Sequence, residues 1–283
     1  MKYLRWIGLA LSLVGIGFVI SQLASYASDL GDFRPNLSQL IAFAILTIVY
    51  GAANIALAIA WRDLLEHCGS TGNARWAIRV FGVTQLAKYI PGNFFHLASR
   101  QTIGMHDGHD AGALLKSAVW EFGTLMSSAV AFGIWVTPLL LTNVSYTYAG
   151  VVFLATVFVI SFSAQRYFSP LVMRAVHWYI GFLLLSGLLY FATLQLLVPD
   201  TSLIDALPGI VGAYIIAWLL GAITPGAPAG IGVREVVMFA LLQSVVGQTE
   251  LLVSIVISRV ITAGGDILFY FGALWMQERR GPA

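Results

Sequence analysis

The sequence predicts an all-α polytopic membrane protein with about eight transmembrane helices. Three observations carry that reading. Of 283 residues, 59% are apolar and 10% are charged, against roughly 25% charged in a soluble domain. Mean hydropathy is +0.85, more apolar surface than a soluble core of this size can enclose, because a protein folded in water must still cover itself with polar groups. The apolar residues also gather into stretches of about 20, the length that crosses ~30 Å of hydrocarbon as a helix, without the alternation of a β-barrel. These features exclude a cytosolic enzyme, a nucleic-acid binder and a disordered chain. The net charge of +2 is too small to suggest a polyanionic partner. The single cysteine, Cys68, leaves no disulfide framework and no thiolate metal cage.

The elements follow in order. Lys2 and Arg5 precede an apolar run from Trp6 to about Ala27, too long for a secretory signal and therefore read as a retained first helix, 6–27. Further spans are expected at about 38–61, 111–137, 147–165, 175–198, 207–223, 231–247 and 251–275. Pro35, Pro138, Pro170, Pro199 and Pro208 lie at or just beyond helix ends, where a missing N–H costs least. Trp6, Trp61, Trp178 and Trp275 fall near the ends, as an interfacial belt requires. Basic residues cluster in alternate loops: Arg62, Arg75, Arg79, Lys88, Arg100 and Lys116, then Arg166 and Arg174, then Arg279 and Arg280. The opposite loops carry Asp29, Asp32, Asp200, Asp205 and Glu250, with Arg34 as their one basic residue. That bias places both termini of a chain with an even number of spans in the cytoplasm.

The segment 74–103 departs from the pattern. Trp76, Val80, Val83 and Ala87 form an apolar stripe at helical spacing, with Arg75, Arg79, Gln85 and Lys88 elsewhere around the helix. Pro91-Gly92 then breaks it into two pieces, each too short to span. An amphipathic helix lying at the interface and a re-entrant hairpin lining a polar cavity both fit. A second Pro-Gly break falls at Pro225-Gly226, 134 residues after Pro91 and close to half the chain. Each break follows a pair of apolar spans. The spacing suggests that one transmembrane domain, 1–283, is built from two half-repeats of about 1–140 and 141–283.

Several residues in these spans can carry chemistry. Gly226, Gly230 and Gly232, with Pro225 and Pro228, cannot form regular helix, so backbone N–H groups stay free until a helix resumes at about Gly232. That helix N-terminus is a natural anion site, Arg234 adds a cation that suits a phosphate, and Glu235 is a first-turn acid. Glu121 sits about ten residues into a span, where an ionised group costs about 2.5–3.5 kcal/mol to insert, so it should face a cavity or a partner. Arg259 and Asp266 are seven residues apart on the last span and share a face, suited to two sides of one polar site. Gly264 and Gly265 between them admit a neighbouring helix. His96 follows the first break and falls near Lys88 and Arg100. The run His106-Asp107-Gly108-His109-Asp110 lacks a third metal ligand and reads as a turn. No metalloprotease, nucleophile-elbow or P-loop signature is present, so neither an enzyme activity nor a cofactor is expected.

Two stretches together resemble a known family. QLAKYIPGNFFHLASRQ (85–101) resembles the Lys-Tyr-hydrophobic-Pro-Gly motif of the lysylphosphatidylglycerol synthase transmembrane region. TPGAPAGIGVREVVMFALL (224–242) is similar to its Pro-x-Gly-Gly-hydrophobic-Gly-hydrophobic-Arg-Glu motif, with Ala227-Pro228-Ala229 where the family often has glycines. The family includes the flippase half of the multiple-peptide-resistance factor and stand-alone proteins of lipid traffic. The resemblance implies a flippase without a synthase domain, moving a lipid with an anionic head, a phospholipid or a polyprenyl-phosphate glycolipid, between leaflets of a bacterial or archaeal inner membrane. It carries over Lys88, Tyr89, Pro91, Gly92, Arg100, Pro225, Gly226, Gly230, Gly232, Arg234 and Glu235 as substrate-binding residues. Membrane lipids, and a separately encoded lipid synthase or glycosyltransferase, are the implied partners. A membrane enzyme acting on a lipid-linked substrate, or a non-transporting member of a lipid-modifying complex, stands as the alternative.

Overall fold

The computed structural model describes residues 33–90, 95–141, 143–198, 203–224, 230 and 232–276. The stretch 6–27, Pro91, Gly92, Pro225 and Gly226 lie outside the described residues. Among those described, the chain is helical and contains no strand.

Side-chain caps written in the sequence start most helices. The first described helix, α1 (Leu37–His67), begins with a capping box in which Asn36 and Gln39 satisfy each other's backbone N–H. Asn73 caps α2 (Ala74–Gln85), which continues as a 3₁₀ turn through Tyr89. Then comes α3 (Phe95–His106). Asp110 caps α4 (Ala111–Ala131), extended by tighter turns to Leu140. Ser145 caps α5 (Tyr146–Tyr167), and Ser169 with Pro170 starts α6 (Pro170–Leu197). Pro208 lies in the first turn of α7 (Leu207–Ile223). Gly232, at φ +84°, sets up α8 (Val233–Leu242), and α9 is Gln248–Trp275.

Six stretches are long and apolar enough to cross a membrane: α1, α4 with its extension, α5, α6, α7 with its preceding turn, and α9. The chain is therefore a multi-pass membrane protein. The expectation of eight spans needs correction at 231–247. There the helix is only 10 residues long, Val233–Leu242, about 15 Å at 1.5 Å per residue. The chain turns over 243–247 and a new helix starts at Gln248, so the stretch is interrupted before it reaches spanning length.

Contacts along the helices give their directions. Helix α1 runs from an entry end to a far end. His67 meets Ser169 at the far end, and Gln39 donates to the Leu196 carbonyl at the entry end, so α6 is antiparallel to α1. In α9, Ser254 meets Tyr190 of α6, Gly265 meets Gly51 and Ala273 meets Gly82, so α9 runs parallel to α1. At the crossing, a Cβ on Gly51 would lie 2.9 Å from the Gly265 carbonyl oxygen. The two backbones touch there, as the glycine pair led us to expect.

Two helical hairpins complete the bundle. Helix α2 leaves the far end, where Trp76 stacks on Trp61, and climbs until Gln85 reaches Asn54. Helix α3 brings the chain back, with Gly104 against Leu114 and Asp107 accepting from Trp76. This segment is an inserted hairpin rather than a helix laid across the end of the bundle. The apolar stripe buries as expected at Trp76, Val80 and Ala87, but the buried face is wider and includes Phe81, Thr84 and Gln85. The second hairpin enters from the opposite end. Gly209 near the start of α7 lies against Leu139, Gly221 meets Gly230 and Arg234, and α8 then returns to the level of Thr137–Leu140. The order long helix, hairpin, long helix thus occurs twice, from Leu37 to Leu140 and from Pro170 to Trp275, in opposite directions.

Candidate substrate cavity

The hairpins converge on a cavity of about 200 Å³. Lys88, Tyr89 and His96 come from the first hairpin, Trp218 and Arg234 from the second, Glu121 from α4, and Arg259 and Asp266 from α9. Eight of the expected site residues are therefore gathered in one place, with Arg100 among them. Apart from Glu121, the α4 wall is apolar: Ala118, Phe122, Leu125 and Met126. Phe122 is 53% exposed and continues the outer stripe of Leu115 and Val119. The cavity rim therefore reaches the surface that would face lipid.

Three ion pairs are built into the walls. Arg100 Nη1 reaches both Glu121 oxygens, at 2.7 and 3.0 Å, and its guanidinium lies 4.0 Å from the Phe81 ring centroid. Glu121, placed in a span by sequence, thus has the partner its burial demands. Arg259 donates from Nε to Glu235 at 2.8 Å and from Nη2 to the Gly230 carbonyl at 3.2 Å. Glu235 and Gly230 thereby support the cavity from behind Arg259 without lining it. Asp266 is wholly buried and accepts from Lys88 Nζ at 2.7 Å, Tyr89 Oη at 2.6 Å and Gln85 Nε2 at 3.0 Å.

Arg234 differs. No carboxylate among the described residues pairs with it, and its Nε is buried without a hydrogen-bond partner. Its guanidinium lies 5.8 Å from the centroid of the Trp218 ring. Lys88, Arg100, Arg234 and Arg259 face Glu121, Glu235 and Asp266, which leaves one positive charge in excess. His96 Nδ1 and Arg100 Nε are further buried polar atoms without a hydrogen-bond partner among the described residues. Desolvated and unpaired groups are costly, so a polar ligand that reached them would gain by pairing with them.

Sequence reasoning missed two neutral members of the site. Asn54 and Gln85 are buried, and the Gln85 amide bridges Asn54 Oδ1 and Asp266 Oδ1. An Asn in the middle of an apolar span was the available signal. Asp63 was missed as well. It is fully buried at the far end between Arg62 and Arg174. The His106–Asp110 run is a structural turn, as expected. His109 stacks on Trp76 at 4.0 Å, Asp107 accepts from Trp76 and Arg79, and Asp110 caps α4.

The chain matches no protein-family model and no curated protein.

Proposed function

We propose that the protein moves a lipid with an anionic head, a phospholipid or a polyprenyl-phosphate glycolipid, between the leaflets of a cell membrane. One observation carries the reading: Arg234, a cation at the start of a helix with no carboxylate partner among the described residues, sits in a cavity that charged and apolar side chains line together, where two oppositely directed hairpins meet. A phosphate crossing ~30 Å of hydrocarbon needs fixed cations and donors in place of its water. The apolar rim at Phe122 suits a ligand whose chains stay in the bilayer while its head enters. The resemblance of the two Pro-Gly segments to the lysylphosphatidylglycerol synthase transmembrane region supports the same reading. The helix ends at the far end carry Arg62, Arg75, Arg79, Arg166 and Arg174, so that end faces the cytoplasm of a bacterial or archaeal cell. If 6–27 spans once, both termini are cytoplasmic.

Leaflet exchange of a labelled anionic lipid in proteoliposomes tests this. Arg234→Gln should slow exchange about 10–100-fold, the loss expected for one charged hydrogen-bonding group. Arg234→Lys should fall between, since it keeps the charge and loses the planar fork. Exchange at the wild-type rate in Arg234→Gln would overturn the reading.

A further inference from the structure

The three ion pairs of the cavity are not equivalent, and their differences point to which one a ligand opens. Arg100–Glu121 is held by two contacts and by the Phe81 face, with both side chains almost fully buried. Arg259 is tied to Glu235 and to the Gly230 carbonyl together. Each of these pairs joins the returning limb of a hairpin to the long helix that follows it, with the charges exchanged between the two: Arg100 to Glu121 in one, Glu235 to Arg259 in the other. Lys88–Asp266 alone crosses from the first hairpin to the second set of helices. Its lysine is the most exposed of the three cations, at 24%.

Asp266 is also the carboxylate best prepared to lose its cation. Tyr89 and Gln85 would still donate to both its oxygens after Lys88 left. Gln85 is fixed in turn by Asn54, and Asn54 by the Tyr50 carbonyl. The carboxylate therefore stays solvated by protein donors, whereas Glu121 without Arg100 would be stranded. Resting on the reading above, we infer that Asp266 holds the place of the ligand's phosphate on Lys88. An entering anionic head takes Lys88 from Asp266, so that Lys88 and Arg234 clamp it between the two hairpins. The tie from the first hairpin to α9 is released at that moment. Binding thus exchanges a contact within the protein for a bridge through the ligand, and frees the hairpin tip to move.

The released surface provides a reporter. Leu86 and Tyr89 of the hairpin tip pack on Ala263 and Tyr270 of α9, and Ala263 is buried there outside the cavity lining. In a Cys68→Ser background, Ala263→Cys should react slowly with a small hydrophilic maleimide in phosphatidylcholine vesicles. Phosphatidylglycerol should speed the reaction about tenfold, equivalent to ~1.4 kcal/mol of opening free energy. With Asp266→Asn or Lys88→Met added, labelling should be fast in both lipids. Thermal unfolding in detergent checks that these variants stay folded. The same rate in both lipids for the parent, or protection by Asp266→Asn equal to the parent's, would sink the inference. Leaflet exchange is scored separately. Lipid-dependent labelling without exchange keeps the exchangeable pair and removes the transport reading. Exchange with lipid-independent labelling does the reverse.

Discussion

At the scale of single residues, the cavity separates charges that stabilise the fold from a charge that waits. Among the described residues Arg234 has no carboxylate within ion-pair distance, so Arg234→Gln removes a cation without a salt bridge and should leave the thermal midpoint in detergent unchanged or raised. Arg100→Met does the opposite, because it strands Glu121 inside the bundle. It should cost about 3–5 kcal/mol, while Arg100→Met with Glu121→Leu should recover most of that loss. Thermal unfolding of the singles and the double, read as a cycle, gives the coupling. A double variant as unstable as Arg100→Met alone would show that the pair does not act as one unit. These charges were legible in the sequence because an ionisable residue in an apolar stretch stands out. Asn54 and Gln85 were legible only as isolated polar residues, because a neutral amide does not reveal which charge it will orient, although together they fix where Asp266 points.

At the scale of elements, the helices could be read from the sequence and the hairpins only in part. The caps Asn36, Asn73, Asp110, Ser145 and Ser169 are local signals and mark their helices within a few residues. Whether 74–103 lies flat or inserts depends on what its stripe packs against, and that is information from distant parts of the chain. Gly51→Val should cost about 1–3 kcal/mol, since its side chain would meet the Gly265 backbone. Gly123→Ala, with open space around it, should be neutral or stabilising in the same melt. The turn before α4 should respond to acid. Burial works to raise the Asp107 carboxyl, but hydrogen bonds from Trp76 and His106, with the Arg79 charge, hold it below its ordinary 3.8. A carboxyl lowered on folding stabilises the protein above its unfolded pKa, and that contribution disappears as pH falls through the folded value. The thermal midpoint should therefore drop below about pH 4, and Asp107→Asn should drop less between pH 5 and pH 3. Equal drops in the two proteins would assign the acid sensitivity to other groups.

At the scale of the whole molecule, the correction at 231–247 changes the number of spans but not the parity of the path. An isolated short helix in place of a span would put the last helix in backwards. Here α7 and α8 fold as a hairpin, with Gly221 on Gly230 at the bend and α8 returning to Thr137–Leu140. The chain therefore leaves the hairpin at the end where it entered. Sequence alone read α7 and 231–247 as two crossings and reached the same parity by a different path, because hydropathy counts apolar residues and does not see where a helix turns back. Cysteine labelling from one side of sealed vesicles tests the path, in a Cys68→Ser background. Thr71 is exposed at the far end, Asn143 at the entry end and Ser244 just after α8. Thr71→Cys should be modified from the cytoplasmic side, and Asn143→Cys and Ser244→Cys from the other. If Ser244→Cys reacted with Thr71→Cys instead, α7 would cross alone and α9 would run the other way. The two hairpins would then enter from one side, and a mechanism that passes a phosphate between hairpins facing opposite leaflets would lose its geometry. The same experiment separates two architectures with almost equal hydropathy, which differ only in how the helices assemble.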